Sequence, residues 1–340
     1  MTQSTPLHTQ LAEHFSVESP KNTPQAALAL LGHERIMEVS GPDSAKFLQG
    51  QLTCDVIRLP QPGSTLGARC NPKGRMQSSF RLLRHDEFTY FLAMAEALIA
   101  PQITDLAKYA AFFKAQITDV SDSWVRLGLY GEKAASLLAD LGLPVPESPD
   151  AAQQLETAKI VRLPGNNTFE LWLPAETAIP TIKRLLADAT AVPLNDWQLS
   201  QIRAGIGQVF AETREAFIPQ MLNLQIFDAV SFKKGCYTGQ EIVARMKYLG
   251  KLKKRMFRLV SDDTRYLPPG AAVINRNTGQ ALGEVVMTAM GPQGMEMLAV
   301  LQKDAAQLVP LNALDGQGPA LTLAALPYQS ELADEAGQAN

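Results

Sequence analysis

The chain of 340 residues is long enough for two or three domains. Apolar residues at 46% and charged residues at 19% match a soluble globular protein, and a net charge of −3 gives no global nucleic-acid signal, so any such surface has to be local. Cys54, Cys70 and Cys236 form an odd set without a Cys-x-x-Cys pair, and the four histidines form no ligand pair; this argues against a disulfide framework, a zinc ribbon or any dedicated metal site.

Residues 1–24 are rich in Thr, Ser, Gln and Pro and predict a flexible arm. The first twenty contain no lysine or arginine, which speaks against a signal or transit peptide, and the apolar run 26–31 is too short to span a bilayer. A reducing, cytoplasmic setting without membrane contact is the expectation. Residues 36–39 read as a strand and 40–44 as a turn into a helix whose apolar face is Phe47, Leu48 and Leu52. Cys70-Asn71-Pro72-Lys73-Gly74-Arg75 reads as a tight turn leading to strands over 78–83 and 88–94, followed by an amphipathic helix over 97–112. A second block opens with a strand at 124–129 and a helix over 132–141, then a hairpin over 160–173 and helices over 176–187 and 196–204. From 255 the texture changes to short strands at 255–260, 272–274, 283–287 and 296–300, separated by Gly and Pro turns, the pattern of a small antiparallel barrel. Residues 329–340 are polar and acidic and predict a loose tail. The linear division is therefore an arm (1–24), a first α/β domain (25–120), a second (121–250), a barrel (251–328) and a tail (329–340).

The chemistry concentrates in Lys233-Lys234-Gly235-Cys236-Tyr237-Thr238-Gly239-Gln240-Glu241. Thr238 to Glu241 has the form of a capping box, Ile242, Met246 and Leu249 recur at helical spacing, and Gly250 is placed as a stop. This predicts a loop turning at Gly235 and a helix from about Thr238, with Cys236 just ahead of its N-terminus, where unpaired amides and two lysines favour a thiolate. The competing reading makes Cys236 a small buried hydrophobe. Arg245, Lys247, Lys251, Lys253, Lys254, Arg255 and Arg258 form the only dense basic region; they read either as a solvated helix end or as a salt-sensitive RNA contact.

Lys-Gly-Cys-Tyr-Thr-Gly-Gln-Glu (234–241) resembles the signature of the YgfZ family of folate-binding proteins, which serve iron–sulfur proteins and tRNA modification and are related to the aminomethyltransferase (T-protein) of glycine cleavage. Residues 39–56 resemble the opening segment of that superfamily, and 217–224 the segment before the signature. The resemblance covers most of 36–328. It implies an α+β, T-protein-like three-part fold with a C-terminal antiparallel β-barrel, whose first two parts exchange chain segments.

It further implies a tetrahydrofolate pocket with Trp197, Arg203, Asn223, Tyr237 and Gln240 as candidate binding residues, and Cys236 with Lys234 as the reactive group. The rival for Trp197 is an ordinary core position. Arg203 stands where relatives commonly carry the glutamate of Glu-Ala-Gly; a donor-only guanidinium suits the folate glutamate tail or a phosphate rather than the pterin edge. Glu34 and Arg35 stand where some relatives carry a second pocket tryptophan. The T-protein's paired aspartates would fall near Gln77 and Ser78, neither of which can supply a carboxylate, so aminomethyl transfer is not expected. The expected function is support of iron–sulfur cluster assembly or repair in client enzymes, including tRNA-modifying radical enzymes, with a transient cluster contact at Cys236. The alternatives are a folate-dependent one-carbon transferase and a direct tRNA-binding module with a weak contact through the basic run.

Overall fold

In Trp124–Tyr130 the residues Val125, Leu127 and Leu129 alternate with Arg126, Gly128 and Tyr130, the period of two that puts successive side chains on opposite faces of a strand. The first set joins a core with Phe169, Leu171 and Leu173 of the neighbouring strand. The computed structural model describes residues 7–15, 18–165, 167–248, 252–306, 310–313 and 318–332.

In chain order the structure begins with Leu7–Phe15 (α1), Ala27–Leu30 (β1), Glu34–Ser40 (β2), Ser44–Gln49 (α2), Gly63–Cys70 (β3), Met76–Arg84 (β4), Thr89–Ala95 (β5) and Glu96–Ala110 (α3). Gln116–Asp119 (β6), Trp124–Tyr130 (β7), Ala134–Asp140 (α4), Ala152–Gln154 (β8), Lys159–Arg162 (β9), Thr168–Pro174 (β10), Ala178–Asp188 (α5), Thr190–Val192 (β11) and Leu194–Ala204 (α6) follow. After the signature helix Gln240–Tyr248 (α7) come Lys254–Ser261 (β12), Ala272–Asn275 (β13), Ala281–Gly291 (β14), Gly294–Gln302 (β15), Lys303–Ala306 (α8), Leu311–Ala313 (β16) and Ala320–Ala324 (β17).

The strands form a six-stranded sheet β11-β1-β7-β10-β9-β8, a five-stranded sheet β3-β4-β5-β2-β6, and a closed barrel β12-β15-β14-β13-β16-β17 whose pairings are all antiparallel. The fold is α+β and T-protein-like, with the barrel at its C-terminal end. On β15 the residues Met295, Met297, Ala299 and Leu301 alternate into the barrel core. Closure leaves no unpaired edge among these strands. By its contacts the chain divides into two interleaved units: Met1–Ala45, Arg58–Thr65 and Arg81–Trp197 in one, Lys46–Ile57, Leu66–Phe80 and Gln198–Asn340 in the other.

Two expected loose ends differ from the structure. Within the expected arm, α1 places Leu11 and Phe15 in the first unit's core, four residues apart on one helix face. The apolar spacing at 7, 11 and 15 outweighs the polar composition around it. At the other end residues 329–332 form a helical turn with Leu332 buried, and 333–340 lie outside the described residues. Among the described residues no helix is long and apolar enough to cross a membrane.

Candidate functional site

The signature loop is held in the second unit by backbone approaches that only glycine permits. At Gly239, φ is +86° and an added Cβ would lie 2.5 Å from the Asn71 carbonyl oxygen and 3.0 Å from Cys70 Cβ. Gly74 opposite has φ +70° and would meet Ile242 at 3.0 Å. The loop's left-handed residue is Gly239; at Gly235, where the turn was expected, the Cβ position is open. The turn carrying Gly74 is organised by Asn71, whose Oδ1 accepts from the amides of Lys73 (2.9 Å) and Arg75 (3.1 Å). The helix begins at Gln240, two residues later than the capping pattern predicts, and the reach-back bond comes from Gln240: its Oε1 accepts from the Tyr237 amide at 3.3 Å. Gln240 is thus engaged as a cap.

Lys234 enters the protein rather than solvent. Its Nζ donates to the carbonyls of Leu52 and Cys54, both at 2.7 Å, and lies 5.0 Å from the centre of the Tyr237 ring. Burial lowers its pKa to about 8, against the opposing pull of Cys54 and Asp55. Beside it, burial pushes the Cys54 thiol up to about 11 and the Cys70 thiol up to about 12. The Tyr237 hydroxyl is also raised by burial and by the neighbouring Cys70 and Cys54; it is buried without a hydrogen-bond partner among the described residues. Cys236 alone of the three thiols is exposed. The loop thus presents one thiol to solvent, while Lys234 and Tyr237, on either side of it, anchor the chain inward.

The residues nominated for folate fall into different surroundings. Trp197 is 3% exposed in the first unit's core, with its indole against the Gly128 backbone and 6.1 Å from the Tyr130 ring. Arg203 gives its fork to Glu296, Nε at 3.1 Å and Nη2 at 2.6 Å from Oε1, while Arg258 holds Oε2 of the same carboxylate at 2.6 Å. Burial pushes the Glu296 carboxyl up, but the bonds from Arg203 and Arg258 win and hold it below its ordinary value. Asn223 is fully buried with φ +55°; its Nδ2 donates to the Met256 carbonyl (3.3 Å) and the Tyr328 hydroxyl (3.4 Å), while its Oδ1 has no partner among the described residues. Gln220, which sequence reasoning did not single out, is alike: Nε2 donates to the Val243 carbonyl at 2.6 Å and Oε1 is unpartnered among the described residues. A glutamine on a short 3-10 turn carries no pattern that could have marked it.

Gln77 donates to Glu215 at 3.2 Å, and Ser78 is buried with its hydroxyl unpartnered among the described residues. Glu34 is paired with the buried Arg126. Of the basic run, Arg258 is committed to Glu296, Lys247 lies 4.0 Å from the Phe232 ring centre, and Lys251 lies outside the described residues. Among the described residues no group of three or more His, Cys, Asp or Glu side chains could hold a metal ion. Among the described residues the Asn223 and Gln220 side-chain oxygens are acceptors without a donor and the Tyr237 hydroxyl is without a partner, the kinds of group that the N–H donors and acceptors of a folate ring would satisfy. Arg203, as it stands, does not contribute to such a site.

This fold and loop define a relative of the glycine-cleavage aminomethyltransferases: the family model described as the GCVT N-terminal domain matches residues 12–227. The glycine cleavage system aminomethyltransferase T from Bartonella henselae superposes with a TM-score of 0.77 over 96% of this chain and 98% of its own, at 20% identity. Within that class the chain belongs to the YgfZ family. It is 34% identical to the tRNA-modifying protein YgfZ of Photobacterium profundum over 90% of this chain and 92% of that one, and 32% identical to the protein of the same description from Pectobacterium atrosepticum over 95% and 98%.

Proposed function

We propose that the protein binds a tetrahydrofolate derivative and supports assembly or repair of iron–sulfur clusters in client enzymes, including radical enzymes that modify tRNA. The observation that carries this reading is the single exposed thiol on a clamped loop: Cys236 is open to solvent, while Lys234 is tied to two carbonyls and Cys54 and Cys70 are buried. One thiolate can ligate a passing cluster or exchange with a client thiol, whereas a resident cluster ordinarily takes four. The cluster is therefore cargo.

Relatives described as tRNA-modifying support the tRNA part of the reading. The Asn223 and Gln220 oxygens and the Tyr237 hydroxyl would hold the polar edge of the folate ring. Bound tetrahydrofolate would supply a one-carbon carrier. Trp197 enters as a buried residue supporting the fold of its own unit, and Arg203 as one arm of the Glu296 clamp. Aminomethyl transfer has less support, because positions 77 and 78 carry no carboxylate. A cytoplasmic setting suits a protein whose exposed cysteine has to stay reduced to act.

The test is a deletion strain carrying wild-type protein, Cys236→Ala or Asn223→Leu, assayed for cluster-enzyme activity and tRNA modification. Tetrahydrofolate binding to the purified proteins is measured in parallel. Cys236→Ala should lose the activities and keep folate binding, and Asn223→Leu should weaken folate binding. Full complementation by Cys236→Ala would remove the thiol from the function.

A further inference from the structure

A cavity of ≈ 340 Å³ lies within the second unit, and none of Trp197, Arg203, Asn223, Tyr237 or Gln240 lines it. Its apolar wall comes from Phe217, Met221 and Met246. Among the described residues that line it, Arg75, Lys253 and Lys254 are cations and Glu284 is the one carboxylate, three positive charges against one negative. Lys253, Lys254 and Glu284 make no ion pair among the described residues. Arg75 is positioned in advance: Asn71 holds its amide, and one Nη1 donation to the Ala216 carbonyl fixes the guanidinium while other donors remain.

We propose that this cavity is a binding site for a phosphomonoester carried on an aromatic body, as in a mononucleotide. A phosphomonoester bears about −1.5 to −2 charge at neutral pH, which matches the surplus of two positive charges. Lysines supply point charges and arginine a planar fork, the usual division of labour at phosphate sites. Methionine thioethers and a phenyl ring offer a soft, polarisable wall for a flat ring. The volume sits at the lower end of small-ligand pockets, which run from about 300 to 1,000 Å³, so it suits one nucleotide rather than two. The same chemistry is presented by a free mononucleotide and by the phosphorylated end of an RNA. The inference is independent of the folate reading, since it uses other residues.

The experiment is calorimetric titration of the full chain with adenosine and uridine 5′-monophosphates, inorganic phosphate, p-aminobenzoylglutamate, and a short RNA with and without a 5′-phosphate. A mononucleotide or the 5′-phosphorylated RNA should bind saturably and more tightly than inorganic phosphate. Preference for the mononucleotide identifies a free ligand; preference for the phosphorylated RNA identifies an RNA end. Lys253→Ala and Lys254→Ala should each weaken binding roughly tenfold, the worth of one charge-assisted contact. Glu284→Gln should tighten it, and Met246→Trp should block the nucleotide by filling the wall. These are half-buried or exposed positions, and unchanged circular dichroism serves as the folding control. The proposal fails if inorganic phosphate binds as tightly as the nucleotide, if p-aminobenzoylglutamate binds better than either phosphorylated probe, if nothing binds saturably, or if the lysine variants bind like wild type.

Discussion

Burial sorts the three thiols by reactivity. Cys54 and Cys70, pushed up to about 11 and about 12, remain thiols at neutral pH and are shielded from reagent, whereas Cys236 is exposed. Iodoacetamide at neutral pH should therefore label Cys236 alone in the native protein, with Cys54 and Cys70 following only in denaturant; mass spectrometry of the digest reads the order, and early labelling of Cys70 would refute it. Lys234 gives a pH signature. Its pKa is lowered from 10.5 to about 8 by burial, so between those values the unfolded chain holds a proton that the native state has released. Unfolding free energy then rises with pH through that window: the cost of the buried ammonium is fully present below pH 8 and is relieved by 10.5, about 3 kcal/mol in all. Urea midpoints across this range should climb in wild type relative to Lys234→Met, and parallel curves would show that the buried charge costs nothing. That this stretch forms a loop running into a helix was legible from its glycines and the helical spacing beyond them. The partners of Lys234 were not, because main-chain carbonyls some 180 positions away leave no trace in side-chain pattern.

At the scale of the element, β7 and β10 show what alternation can and cannot reveal. Their inward sets were readable, yet the opposite face is also buried and holds polar groups. There Arg126 donates to Glu34 and to Glu170 (2.6 Å) with its guanidinium 4.4 Å from the Trp172 ring. Burial alone would lower the Arg126 pKa, but the two carboxylates raise it above its ordinary value, so the charge persists. Arg126→Met should cost about 3–5 kcal/mol, because it takes the guanidinium from the buried Glu170 and the half-buried Glu34, and adding Glu34→Gln and Glu170→Gln should recover part of that. Denaturant midpoints decide; an Arg126→Met protein as stable as wild type would mean the triad is solvated. On the same face Gly128→Ala would set a Cβ 2.3 Å from the Trp197 ring. It should destabilise by about 1–3 kcal/mol, and Trp197→Leu in the same chain should relieve the clash; strict additivity of the two losses would count against the contact. The strand β1 escaped notice as a strand for a related reason. Leu28 and Leu30 face one core while Ala27 and Ala29 face another, so the sequence shows an unbroken apolar run instead of alternation. The barrel's first four strands were marked by Gly and Pro turns. Its closing strands β16 and β17 are three and five residues long, too short to show a period.

At the scale of the molecule, an aminomethyltransferase fold persists at 20% identity because it depends on which faces are apolar more than on which residues fill them. The interleaving of the two units depends on contacts that no local pattern encodes. It also makes the signature loop a product of distant segments. Ser231 donates its amide to the Thr53 carbonyl (2.9 Å) and Thr238 to the Gly50 carbonyl (3.2 Å), while Met76 and Phe217 bond through their main chains at 2.8 Å. A fragment starting at Gln198 keeps the barrel strands and the signature but lacks Lys46–Ile57 and Leu66–Phe80, so those amides lose their acceptors and Lys234 loses both carbonyls. Hydrogen exchange should find Ser231 and Thr238 unprotected in the fragment and Val285 and Leu298 in the barrel still protected. Cys236 should alkylate no more slowly than in the full chain. Adding a peptide of residues 46–80 should restore protection at Ser231 and Thr238, since it returns their acceptors. Protection of both amides in the fragment alone would mean that the loop orders itself locally, and the Lys234 clamp would then be a consequence of the loop's shape rather than its cause.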